Sequence, residues 1–191
     1  MFLLYAVLVG LVLGLLLGGR PDGLARLQIR WAPLIVIGMA IQAVLFAEPV
    51  ARVVGALGPI VYLVSTILVL AAVLRNWRLA GLPLVAIGAI SNQVAILANG
   101  GFMPAAAAAL AAQGRTEATV YSNSAFVSNP VLAPLTDIFA MPTWIPLANV
   151  FSIGDALLGV GVAMAIVVAM RSAAATPPVA TAPSPGGASG N

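Results

Sequence analysis

The sequence contains no cysteine, no histidine and no lysine, and charged residues make up only 7% of it. Without thiols or imidazoles the chain cannot form a disulfide, a zinc site of the usual kind, a haem ligand or an imidazole base. Most soluble-enzyme chemistry is thereby excluded, and no cofactor and no metal are expected. The absence of cysteine says nothing of redox compartment, because a polytopic protein can do without staples on either side. The eight basic residues, all arginine, face five acids, a formal +3 with a pI near 10.2. That excess is too thin to argue for nucleic acid; arginines beside apolar segments more often set membrane topology. What the chain has in quantity is hydrocarbon: 62% of its 191 residues are hydrophobic and the mean hydropathy is +1.11. The expected class is an integral membrane protein with the lipid bilayer as its first partner.

Five stretches reach or approach the roughly 17 to 25 apolar residues that a membrane-crossing helix needs. They are Phe2 to Gly18, Trp31 to Ala47, Gly58 to Leu74, Leu82 to Ala98 and Val150 to Met170. The first lacks a basic leading region and a small-residue cleavage site, so it reads as a retained span. The expected fold is all-α, a polytopic bundle of about five transmembrane helices over residues 1–171 with a long outer loop over 99–148. The tail over 172–191, rich in Pro, Ala, Gly and Ser, has neither charge nor apolar stripe and is expected to be a disordered cytoplasmic extension. Arg20, Arg26, Arg30, Arg75, Arg78 and Arg171 fall on one side of the predicted spans, and only Arg52 and Arg115 on the other. This bias predicts a plasma-membrane protein with its amino terminus outside and its carboxyl terminus in the cytoplasm. Trp31 and Trp77 fit the inner aromatic belt and Trp144 the outer one.

Span one carries Gly10, Gly14 and Gly18 at four-residue spacing, and span five repeats the theme with Gly154, Gly159, Gly161 and Ala163. Close packing within the bundle accounts for both stripes without any chemistry. Span four is more informative: Ser91, Asn92 and Gln93 sit inside it, and Asn99 lies two turns beyond Asn92. Buried amides are costly unless paired, and they face protein or a wet cavity. Gln42 in span two and Ser65 and Thr66 in span three are candidate partners. At the start of span five, Ser152 and Asp155 have the spacing of a capping box, and an acid there also meets the positive end of the helix dipole. Asp155 can thus be read as a cap alone or as a cap that also touches a ligand or partner.

In the long connection, Asn99-Gly100-Gly101 reads as a turn, Pro104 as the first residue of a helix built on the alanine run, and Gly114 as its stop. The remainder has no helical period, but Tyr121, Phe126, Leu132, Leu135, Ile138, Phe139, Met141 and Trp144 are too apolar for a solvated loop. A lid on the outer face of the bundle is expected. Glu117 and Asp137 are its acids.

Three stretches, Asn99-Gly100-Gly101-Phe102-Met103-Pro104, Leu135-Thr136-Asp137-Ile138 and Asn149-Val150-Phe151-Ser152-Ile153-Gly154-Asp155, resemble the recurring N-G-G-x-M-P, L-x-D-I and N-x-x-S-x-G-D marks of a family of small bacterial multi-pass membrane proteins, a domain of unknown function. The resemblance covers everything but the tail. It implies architecture and family membership and carries no activity with it.

In the predicted orientation Gln42, Asn92, Gln93, Asn99, Asp137, Asn149, Ser152 and Asp155 all lie between mid-membrane and the outer surface. The inner half of each span is apolar, and no internal repeat is visible, which disfavours a transporter. The first reading is a non-enzymatic membrane protein whose outward polar cluster, drawn from Asn92, Gln93, Asn99, Asp137, Asn149, Ser152 and Asp155, binds a partner, a lipid headgroup or a small ligand. A membrane-protein partner and a homo-oligomer are both candidates. The second is an outward-facing enzyme using Asp137 and Asp155 as acid and base or as oxygen ligands for a hard cation. The third is a structural membrane subunit in which each polar residue only caps or pairs.

Overall fold

The structure is a computed structural model that describes residues 2–114, 124–127 and 129–174. Arg115, Glu117 and Tyr121 of the loop and residues 175–191 of the tail lie outside the described residues. The fold is mostly helical. Five long helices, α1 (Phe2–Leu16), α3 (Ala32–Leu45), α5 (Gly58–Arg75), α6 (Leu82–Ala98) and α8 (Ile153–Ala174), are joined by short helices α2 (Asp22–Ala25), α4 (Glu48–Val54) and α7 (Ala107–Ala112). Prolines stand in the first turns of α3, α5 and α6, where a missing N–H costs nothing and a fixed φ favours helix entry. Two helical stretches are long and apolar enough to cross a membrane: Pro49–Arg75, which joins α4 to α5, with mean hydropathy 2.4, and Ile153–Ser172 with 2.2. Helices α1, α3 and α6 are apolar and shorter. The last helix runs to Ala174, past the predicted start of the tail.

The packing order is set by small residues. Helix α8 takes α1 on one flank and α6 on the other. A Cβ on Gly10 would lie 2.9 Å from Ala163 Cα, and one on Gly14 would lie 2.4 Å from Met170 Sδ. On the other flank a Cβ on Gly88 would lie 2.4 Å from the Gly154 carbonyl oxygen, and one on Gly161 would lie 2.6 Å from the Gly81 carbonyl oxygen. The span-five stripe is therefore two seams, with Gly159 and Ala163 toward α1 and Gly154 and Gly161 toward α6. Gly18 does not belong to the α1 seam; it sits in the turn after α1 with φ +76° and no neighbour within 4 Å. Helix α3 packs on α5, where a Cβ on Gly38 would meet the Ser65 carbonyl at 2.7 Å. Helix α5 in turn packs on α6 around Val73, Val85 and Ala86. The five helices thus form a chain of neighbours, α3–α5–α6–α8–α1, whose two ends, α1 and α3, do not pack extensively on each other.

At the arginine-rich end, Asn76 is buried and clasps two segments. Its Nδ2 donates to the Arg30 carbonyl at 2.7 Å and its Oδ1 accepts from the Arg30 N–H at 2.8 Å. The Arg75 guanidinium lies 5.9 Å over the Trp31 ring nearby. At the other end the long connection folds back as a lid. Strand β1 (Met103–Ala105) pairs in parallel with β2 (Ser124–Phe126), and β3 (Phe139–Ala140) pairs antiparallel with β4 (Val150–Phe151). Pro104 is in β1 and not at a helix start. Its carbonyl accepts from the Asp137 N–H at 2.9 Å, and this ladder holds the segment extended until α7 begins at Ala107. A row of stacked rings, Phe2 on Phe151 at 4.7 Å and Phe151 on Phe139 at 5.3 Å, fastens the lid to α1. The Tyr5 hydroxyl donates to the Pro146 carbonyl beside it.

Candidate functional site

The capping box expected at the start of α8 forms. Asp155 N–H donates to Ser152 Oγ at 3.0 Å, and Ser152 N–H donates to Asp155 Oδ2 at 3.0 Å. Asn92 of α6 closes it from the neighbouring helix: its Nδ2 donates to Asp155 Oδ1 at 2.8 Å, and its Oδ1 accepts from Ser152 Oγ at 2.8 Å. Four hydrogen bonds join three side chains and two backbone amides in one closed network, and each carboxylate oxygen of Asp155 accepts one of them. Gly154 makes room for it, since a Cβ there would lie 1.9 Å from Asn92 Oδ1. Ser152 is fully buried. Asn92 is six residues from the end of α6, so the network lies about 9 Å below that end.

Beside this network is a cavity of about 370 Å³. Its polar wall comes from separated segments: Gln42 of α3, Tyr62 and Thr66 of α5, Asn92 and Gln93 of α6, Asp137 and Asn149 of the lid, and Asp155 of α8. Its apolar wall includes Met39, Val69, Leu70, Ile96 and Leu158. Asp137 is buried in the lid; its N–H and carbonyl are fixed by Pro104 and by the Ala106 N–H, at 2.9 and 3.0 Å. Asn149 is positioned by its own carbonyl, which accepts from the Met141 N–H at 3.0 Å. Gln93 is 8% exposed, and its amide makes no hydrogen bond to any described residue; the half-buried Gln42 amide makes none either. No arginine lines the cavity among the described residues, and these contain no cluster of three acids that could hold a metal ion.

Of the seven nominated residues, Asn92, Gln93, Asp137, Asn149 and Asp155 therefore line one cavity, and Ser152 supports it from behind. Asn99 goes elsewhere. It caps α6 and grips the lid, with Nδ2 donating to the carbonyls of Ala95 at 2.7 Å and Val131 at 2.9 Å, while Oδ1 accepts from the Val131 N–H at 2.9 Å. Ser65 and Thr66 bond back to carbonyls of their own helix and supply nothing to Asn92. Ser91 Oγ is buried with no partner among the described residues, and nothing in the structure explains it. Sequence reading missed Asn76 and Tyr62. Asn76 caps the end of α5 and Tyr62 lies within it, and only the pairing of helices and segments reveals their work.

Residues 26–167 match the model of a family of unknown function, DUF5317. No curated protein and no solved structure matches the chain.

Proposed function

The chain belongs to DUF5317, a family of unknown function, and on that footing we propose that it is a multi-pass membrane protein whose five long helices cross the bilayer and hold a ligand-binding cavity on the extracytoplasmic side. Each helix turns large apolar side chains outward: Leu8 is 55% exposed, Val36 66%, Ile60 58%, Ile87 55% and Val160 59%. Only 22% and 28% of the most apolar windows of the two longest stretches are buried within the chain. Apolar surface on this scale is covered by lipid or by partners in stable proteins. Helices α1, α3 and α6 rise about 21–26 Å, a little short of the roughly 30 Å core, a mismatch that local bilayer thinning accommodates. The arginine-rich end faces the cytoplasm in this reading. Tags on the two termini of the protein in intact cells are expected to report opposite compartments, amino terminus outside; both tags on one side would reverse it.

The cavity is read as a binding site because the Gln93 amide lines it, nine-tenths buried, with no partner among the described residues. Its polar atoms are open to the cavity and are not paired by protein, so they are available to whatever fills it, and a guest that pairs with them takes the place of water there. The lining is rich in amides and hydroxyls, with two acids, and fits a neutral or cationic polar group. A structural subunit, in which every polar residue is satisfied internally, does not account for the two glutamines. The enzyme reading has in its favour that Asp137 and Asp155 share the cavity, but both Asp155 oxygens are already engaged as acceptors. Gln93→Leu tests the choice. The variant is expected to unfold no more easily than wild type, gaining up to about 1 kcal/mol. It is also expected to lose whatever small molecule remains on gently released wild-type protein in native mass spectrometry. Marked destabilisation with an unchanged adduct would make Gln93 a packing residue.

A further inference from the structure

The cavity has a mouth, and its position bears on what can enter. Of all the residues that line it, only Leu3 of α1 and Met39 of α3 are exposed, 41% and 54%; the rest are buried or half-buried. These two stand on the helices that end the chain of neighbours, α1 and α3, which do not pack extensively on each other. Toward the lid the lining is covered, with Met103, Asp137 and Val150 each at most 4% exposed and Asn149 half-buried. The opening is therefore sideways and flanked by hydrocarbon side chains. In a bilayer it faces acyl chains and not the aqueous phase.

The interior changes character along its length. Tyr62, Thr66, Val69 and Leu70 run about 12 Å of α5 along one wall, from hydroxyl groups near the lid to aliphatic groups below. Its 370 Å³ amounts to roughly a dozen water-sized groups at about 30 Å³ each, room for a head group and little of a long chain. Resting on the binding reading above, we infer that the ligand is an amphiphile of the outer leaflet. Its neutral or cationic, hydrogen-bonding head enters between α1 and α3 and pairs with Gln42 and Gln93, while its apolar tail stays at the Leu3–Met39 mouth.

The chain's lack of cysteine gives a direct test. Ala89 lines the cavity, so Ala89→Cys in the full chain, reconstituted in phosphatidylcholine nanodiscs, places a single thiol inside it. Thr66→Cys on the facing helix serves as the second variant should the first fold poorly. Each is treated with an N-alkyl maleimide, a polar head on an apolar tail that partitions into the bilayer, and separately with a sulfonated maleimide confined to water. The alkyl reagent is expected to label at least tenfold faster, and adding Met39→Trp to narrow the mouth is expected to slow it severalfold. Faster labelling by the sulfonated reagent would overturn lateral entry while leaving the cavity as a site for a water-borne ligand. No labelling by either reagent, at either position, would remove the accessible cavity and both readings with it.

Discussion

Replacing Gly154 by alanine is expected to cost about 3 kcal/mol and to take the Asn92–Ser152–Asp155 network apart. The added methyl would stand 1.9 Å from Asn92 Oδ1 and 2.8 Å from the Gly88 carbonyl oxygen. One obstacle is a side chain that can swing away, losing its hydrogen bonds to Ser152 and Asp155; the other is backbone, which yields only if α6 and α8 part. Overpacking alone costs roughly 1–3 kcal/mol, and a broken buried hydrogen bond adds to it. Reversible unfolding in mixed micelles measures the loss, with Val160→Ala as control: that residue lies on the same helix, 59% exposed, and should change stability far less. Truncation of the obstacle decides the mechanism. In an Asn92→Ala background the second loss should shrink, because the nearer clash has gone. Losses that simply add would mean that Gly154 matters for a reason other than room for Asn92.

What the sequence made legible follows from how local each signal is. Apolar runs end where helices end, within a few residues, because prolines and glycines punctuate them: Pro33, Pro59 and Pro83 stand in first turns and Gly81 at an entry with φ +85°. The capping box was readable because its two residues are three apart. Its third member was not, since Asn92 and Asp155 stand 63 positions apart and no periodicity reports their contact. The same distance hid the two-sided character of the α8 glycines. Asn99 was misjudged for the opposite reason: helical spacing puts it near the face of Asn92, but α6 ends at Ala98 and the side chain turns to the lid. Pro104 was misread because an alanine run after a proline is a strong local helix signal, and the β1 ladder to Asp137 outweighs it. Polarity at one end of the bundle was visible in composition; the cavity was not, because a concavity is a property of which helices meet.

The exchange of Asn92 with Asp155 separates a helix cap from a network. If Asp155 only capped α8, Asp155→Asn would keep the cap through its remaining carbonyl oxygen and cost a few tenths of a kcal/mol. In the structure the second carboxylate oxygen accepts from Asn92 Nδ2 at 2.8 Å, so the new amide sets donor against donor. About 1–3 kcal/mol should be lost. Asn92→Asp is expected to be worse, about 3 kcal/mol or more, because two carboxylates would face each other at that distance in a partly buried place. The double variant restores complementarity. An aspartate at 92 accepts from the Ser152 hydroxyl and from the new amide at 155, whose carbonyl oxygen still accepts from the Ser152 N–H. It should therefore be more stable than Asn92→Asp alone, recovering at least half of that loss in the same micelle titration. The remainder reflects moving the negative charge off the first turn of α8, where the helix dipole favours it. Should the two losses sum in the double variant, Asn92 and Asp155 would be independent residues, and this part of the cavity's polar wall would no longer be a single unit on which a ligand could rely.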